Sequence, residues 1–261
     1  MSRFRFIEDG VCCDVFYNKG KNIGECALFL YGFPATIGSN KLTDLLVELG
    51  YMVLQPHYLG TYDSCGDFTP ESAFETVRKI NNIVKKSLVK NLKNNVMFRL
   101  PDKISVCIGY SFGAYVMRHT LEYLVDVKKI IFVSPVMSNN PGNILCWVNE
   151  NGLDHLNYVL RTRPFTYRIS NKDNWMINYV NDRTQTGVLS NQVDDVFWIY
   201  GRKDSAMIEE KLLGKYVMAT RCCISLDANT KILAIEDGDH SINSLITEQS
   251  KEILYGILIP K

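Results

Sequence analysis

The stretch that decides the fold is ISVCIGYSFGAYVMRHTLEYL, residues 104–124. It starts as an apolar run, breaks at Ser111, and continues with apolar residues at helical spacing. Gly109 and Gly113 stand two residues before and after the serine. A strand that turns sharply into a helix needs small neighbours, because side chains at 109 and 113 would collide with the elements beside them. Such a turn lifts the hydroxyl out of the sheet, and the helix N-terminus behind it favours negative charge nearby. Taken alone, Ser111 reads either as a helix N-cap served by two turn glycines or as a nucleophile. The rest of the chain must supply partners to decide between them.

Working outward, the chain alternates strand and helix patterns. RFRFIED and CCDVFYN flank a DG turn signal and predict an opening hairpin. ECALFLYGF (25–33) reads as a buried strand. Ser39 or Asn40 caps a helix that Gly50 ends, and YMVLQP is the next strand. Pro70 suits the first turn of a long helix from 70 to about 92, with Val77, Ile80, Ile83, Val84 and Leu88 at helical spacing. Strands are expected at 103–109, 128–135, 194–201 and 230–237, with helices at 112–125, 205–218 and 241–257. This alternation predicts an α/β domain: a mainly parallel sheet, helices on both faces, antiparallel strands at one edge. Residues 1–261 read as a single domain. The segment of about 137–192 breaks the rhythm and is too long for a plain loop. It is expected to form a partly helical cap inserted between two strands.

The 261 residues suffice for a sizeable core, and a formal net charge of +1 points to neither nucleic acid nor an anionic membrane surface. No apolar run approaches the roughly 20 residues of a spanning helix. MSRFRFIEDG lacks the apolar stretch of a signal peptide, so a cytoplasmic protein is expected. The eight cysteines show no C-x-x-C spacing, which argues against a zinc or thioredoxin-like site, and most sit in apolar runs as small hydrophobes.

A serine hydroxyl needs a base, and the base needs an orienting acid. Of four histidines, His240 stands in AIEDGDHSI, just after the last predicted strand. Asp204 lies in FWIYGRKDSAM, after the strand 194–201. Both lie at carboxyl ends of strands, the rim where ligands bind in parallel sheets and where Ser111 also sits. Asp237 and Asp239 are too close to His240 in sequence to reach its far nitrogen easily. The chain order is Ser111, Asp204, His240.

That order and these loops make the chain resemble the α/β-hydrolase superfamily over nearly its whole length outside the cap. GYSFG resembles the nucleophile elbow. YGFP (31–34) is similar to the H-G-F-P turn, with Tyr31 in place of the usual histidine. QPHYLGTYDSCG (55–66) resembles the loop after the fourth strand, with Ser64 matching its serine but without the usual Asp and Arg. The resemblance implies the α/β-hydrolase fold with about eight strands, Ser111 as nucleophile, His240 as general base and Asp204 as the acid. It also implies an oxyanion hole made by the backbone N–H groups of Phe33 and Phe112. His57 stands near the rim, either lining the pocket or structural. The cap aromatics, Trp147, Phe165 and Trp175 among them, either wall a substrate pocket or form the cap's own core.

The expected reaction is acyl transfer to water on a small-molecule ester or thioester, with no metal and no organic cofactor. The same pattern also accommodates a peptidase or amidase, an acyltransferase, or a receptor-like binding protein with low turnover.

Overall fold

The computed structural model describes residues 1–135, 153–173, 175, 193–204 and 229–259. Its main sheet has eight strands in the order β1-β2-β4-β3-β7-β8-β9-β10. These are β1 (Ser2–Glu8), β2 (Val11–Tyr17), β3 (Cys26–Leu30), β4 (Met52–Pro56), β7 (Ile104–Tyr110), β8 (Lys129–Val133), β9 (Asp195–Gly201) and β10 (Asn229–Ile235). Strand β2 pairs antiparallel with both neighbours. Every other pairing in this sheet is parallel. The opening hairpin turns at Asp9 and Gly10, both at positive φ, as the DG signal requires.

Helix α1 (Lys41–Leu49) starts at Asn40, whose side chain accepts from the N–H groups of Leu42 and Thr43, and stops at Gly50 in the left-handed region. Helix α2 (Pro70–Lys86) opens with a reciprocal cap between Thr69 and Ser72. It ends earlier than its periodicity predicts. Ser87 turns left-handed at φ 54°. Leu88 then enters a short strand β5 (Leu88–Lys90), which pairs with β6 (Met97–Arg99) in a separate two-stranded sheet. Leu88 is exposed there, so its helical spacing did not reflect burial.

Helix α3 (Phe112–Thr120) follows the elbow and runs into a 3₁₀ turn at Leu121–Tyr123. Helix α4 (Leu153–Thr162) lies between β8 and β9. The closing helix is two pieces, α5 (Ile242–Leu245) and α6 (Glu248–Leu258). A second reciprocal cap, Thr247 with Ser250, starts the latter. The helix predicted at 205–218 lies outside the described residues.

The chain winds outward in two directions from the centre. From β3 it crosses through α1 to β4, and from β7 it crosses the other way through α3 to β8. Right-handed crossovers in opposite directions put α1 and α3 on opposite faces. Helix α2 packs with α3, and α1 packs with α5 and α6. The buried strands Cys26–Leu30 and Met52–Pro56 therefore face helices on both sides, which is why they read as continuous apolar runs. The change of winding falls between β3 and β7, the position beyond whose carboxyl ends open α/β sheets bind ligands.

Candidate active site

The loops that follow β3 and β7 meet at this point of the sheet. Ser111 sits between β7 and α3 at φ 53° and ψ −119°, a conformation that is strained for a residue with a side chain. Its neighbours explain how the turn closes. A Cβ on Gly109 would lie 2.6 Å from the Ala114 Cα, and one on Gly113 would lie 2.0 Å from the Leu30 carbonyl oxygen. Only glycine lets α3 start this close to β3 and β7. The loop after β3 abuts the turn: a Cβ on Gly32 would come within 2.9 Å of the Ser111 Cβ. Phe33 follows Gly32 directly, and Phe112 follows Ser111.

Two further loops bring up the other polar groups. After β9, Asp204 is buried, and its side chain is 0% exposed. After β10, His240 places Nδ1 at 2.7 Å from Asp204 Oδ2 and Nε2 at 2.9 Å from Ser111 Oγ. A carboxylate only accepts, so Nδ1 carries the proton toward Asp204, and the serine hydroxyl donates to Nε2. The two loops lock to each other through backbone. Arg202 N–H donates to the Ile235 carbonyl at 2.9 Å and Lys203 N–H to the Gly238 carbonyl at 2.9 Å. A Cβ on Gly201 would lie 2.1 Å from the Gly238 oxygen. The rival carboxylates are engaged elsewhere. Asp237 pairs with Lys203, and Asp239 accepts from Ser241 N–H and the Ser244 hydroxyl.

A residue that the sequence reading missed is Tyr110. Its hydroxyl donates to the His240 backbone carbonyl at 2.9 Å, and the two rings lie 5.5 Å apart. Burial, with Asp204 and Asp239 nearby, pushes its phenol up to about 12, so it stays a neutral donor. The variable position before the serine in G-x-S-x-G carries no signal that could have singled it out.

In three-dimensional structure the chain is similar to an esterase from Pyrococcus furiosus, with a TM-score of 0.60 and 16% identity over 98% of this chain and 91% of that one. A monoacylglycerol lipase from Paleococcus ferrophilus superposes with a TM-score of 0.58 and 14% identity over 99% of each chain. An α/β serine hydrolase without a lid from Xanthomonas campestris gives 0.54 and 13%, over 98% of this chain and 91% of that one. The chain has the α/β-hydrolase fold. No family model and no curated protein matches the sequence significantly.

Within that α/β-hydrolase frame, Tyr31 acts as a pillar where the resemblance calls for histidine. Its hydroxyl bonds Thr61 Oγ1 at 3.0 Å and accepts from Tyr58 N–H at 3.0 Å. Ser64 donates to the His57 carbonyl at 2.6 Å and accepts from Cys12 N–H at 2.8 Å. The loop 55–66 is thus tied to β2 without the usual Asp and Arg.

His57 does not line a pocket. It is 0% exposed, and Nε2 faces Asp14 Oδ2 at 3.3 Å. Asp14, at the centre of β2, also takes Arg5 Nε at 2.8 Å and Arg3 Nη2 at 2.7 Å. Burial pushes the Asp14 carboxyl up, but the hydrogen bonds from His57, Arg5 and Arg3 outweigh it and hold the group well below the usual carboxylate range. A strand pairing across the sheet edge claimed this histidine.

Phe165 is no pocket wall either, being 91% exposed. Trp147 lies outside the described residues. Trp175 is 3% exposed, and its ring centroid is 5.0 Å from Phe33 and 5.9 Å from Phe112. Phe68 and Tyr167 complete this cluster, at 5.4 and 4.8 Å from Phe33. Backbone bonds join the stretch 166–168 to the loop after β4: Tyr62 to Thr166 at 2.7 Å, Phe68 to Arg168 at 2.6 Å and Arg168 to Gly60 at 2.8 Å. The aromatic group therefore stands on the carboxyl-end rim beside Ser111.

Proposed function

We propose that the protein is a serine hydrolase that cleaves carboxylic esters or thioesters of small acyl groups through an acyl-enzyme. The observation that carries this reading is the unbroken chain from Ser111 Oγ through His240 to the buried Asp204 carboxylate. His240 Nε2 takes the serine proton as Oγ attacks the acyl carbon, and Asp204 stabilises the imidazolium that forms. The N–H groups of Phe33 and Phe112 receive the oxyanion. His240 then returns the proton to the leaving group, and a water repeats the sequence on the acyl-enzyme.

The segment of about 137–192 acts as a cap in this reading. The bonds between 166–168 and the loop after β4, and the packing of Trp175 on Phe33 and Phe112, support that place for it. The esterase and lipase neighbours agree with ester chemistry. No described helix is long and apolar enough to cross a membrane. We also place the protein in the cytoplasm, a reading supported by its free thiols at Cys12, Cys13, Cys26, Cys65 and Cys107.

The test is hydrolysis of p-nitrophenyl esters of increasing chain length, together with labelling by a small fluorophosphonate. Ser111→Ala should abolish both while the far-ultraviolet circular dichroism stays unchanged. Wild-type turnover in a folded Ser111→Ala protein would refute the assignment.

A further inference from the structure

Beside the opening hairpin, three side chains able to ligate a metal come together from β2 and from the loop after β4. Cys12 lies on β2, His57 follows β4, and Asp63 stands in the loop beyond. One ligand atom from each lies within 4.8 Å of the others. Their backbones are already fixed relative to one another. His57 N–H donates to the Cys12 carbonyl at 2.8 Å, and Ser64, next to Asp63, bonds both Cys12 N–H and the His57 carbonyl.

His57 supplies a second, independent observation. Its side chain is fully buried, and Nδ1 has no hydrogen-bond partner. A buried nitrogen left so is costly. Nε2 faces the Asp14 carboxylate. That oxygen accepts only, so Nε2 carries the proton and Nδ1 presents its lone pair. A carboxylate behind one imidazole nitrogen, orienting the other toward a metal, is a recurrent outer-shell arrangement. Asp63 Oδ2 is held by Arg5 Nη1 at 2.6 Å, which leaves Oδ1 as the ligand.

We propose that Cys12 Sγ, His57 Nδ1 and Asp63 Oδ1 form a site for a divalent transition-metal ion of the zinc class. The donor set of one thiolate, one imidazole and one carboxylate suits zinc. Donors about 2.0–2.3 Å from zinc lie about 3.5 Å apart, so ligand atoms within 4.8 Å of one another need close by no more than roughly an ångström. Asp63, whose side chain is 55% exposed, supplies most of that movement. Binding forms the S–Zn bond as the Cys12 thiol gives its proton to solvent; zinc keeps its oxidation state. With both arginines, both aspartates and the thiolate counted, zinc leaves the cluster with one net positive charge, which the solvent beside Asp63 screens. The ion would staple the opening hairpin to the loop after β4. This goes against the sequence expectation of no metal: spacing rules find ligands that are neighbours in sequence, and Cys12 lies far from His57 and Asp63.

The test uses the full chain, stripped with a chelator and titrated with Zn²⁺ against a chromophoric zinc indicator. One equivalent should bind and raise the thermal midpoint. Cys12→Ala should lose the binding, Asp63→Asn should weaken it at least tenfold, and Ser111→Ala should leave it unchanged. Co²⁺ in the same protein should give thiolate-to-cobalt charge-transfer absorption that Cys65→Ser, which removes an exposed thiol nearby, retains and Cys12→Ala lacks. No saturable binding overturns the proposal, as does equal binding by Cys12→Ala or a cobalt band lost in Cys65→Ser. If Cys12→Ala does not fold, Asp63→Asn decides alone: unchanged zinc affinity in that variant overturns the site.

Discussion

Ser111 holds its positive φ at a cost of about 1–3 kcal/mol, and what it gains is a hydroxyl aimed at His240. Asp204 matters through the tautomer it imposes. An asparagine there is nearly isosteric, so folding should be unaffected, while the amide presents a donor to the wrong state of the ring. On the proposed mechanism Asp204→Asn should lower kcat by about 10⁴, the loss known for the analogous change in serine proteases. Steady-state kinetics on a p-nitrophenyl ester measures it. Tyr110→Phe removes one hydrogen bond, worth about 1 kcal/mol, that ties the His240 loop to the end of β7. We expect kcat to fall by up to about tenfold with KM little changed. The same residue gives a pH signature. Burial raises its folded value to about 12, above the ordinary value of about 10. The neutral phenol therefore contributes its full stability below about pH 10 and loses it as pH rises through 12. In denaturant titrations from pH 9 to 12, the stability advantage of wild type over Tyr110→Phe should shrink steadily.

At the scale of elements, close approach of backbones governs the site. Helix α3 begins where Gly113 lets it touch the Leu30 carbonyl, and the loops that carry Asp204 and His240 meet at Gly201 and Gly238. Gly113→Ala must push α3 away from β3, because backbone on the other side cannot yield. We expect a loss of about 3 kcal/mol, read by urea denaturation, together with a large fall in ester turnover. Helix α2 shows the opposite case. Its apolar spacing continues to Leu88, but Ser87 in the left-handed region stops it, and Leu88 enters a strand. A short apolar pattern cannot tell a last helical turn from a first strand residue.

For the whole molecule, winding outward in two directions from β3 and β7 is what collects four loops on one rim. The edge hairpin is secured by a different means, the cluster of Asp14 with Arg3, Arg5 and His57. Asp14 is fully buried. Asp14→Ala would leave the His57 N–H and the inner side of Arg5 unpaired, and should cost about 3 kcal/mol in chemical denaturation. On the rim, Trp175 packs on Phe33 and Phe112, the latter next in sequence to Ser111. Trp175→Ala, in a folded protein, should raise KM and shift the preferred acyl length while leaving fluorophosphonate labelling of Ser111 nearly unchanged. An identical chain-length profile would count against a specificity role for this aromatic group.

The sequence by itself determined the alternating elements, the sharp turn at Ser111, and the strand ends that carry Asp204 and His240. Periodicity and glycine placement are local, and they report directly which face is buried and where a turn must be tight. Which side chains share a neighbourhood was decided only by tertiary structure. His57 read as a rim residue until β2 paired with β4 and set Asp14 against it. Phe165 and Trp175 looked alike as cap aromatics, yet one is in solvent and the other packs on Phe33. Tyr110 reaches the His240 carbonyl across 130 residues of chain. No local pattern encodes such meetings, because they arise from how the strands are ordered in the sheet, and that order follows from the packing of the entire chain.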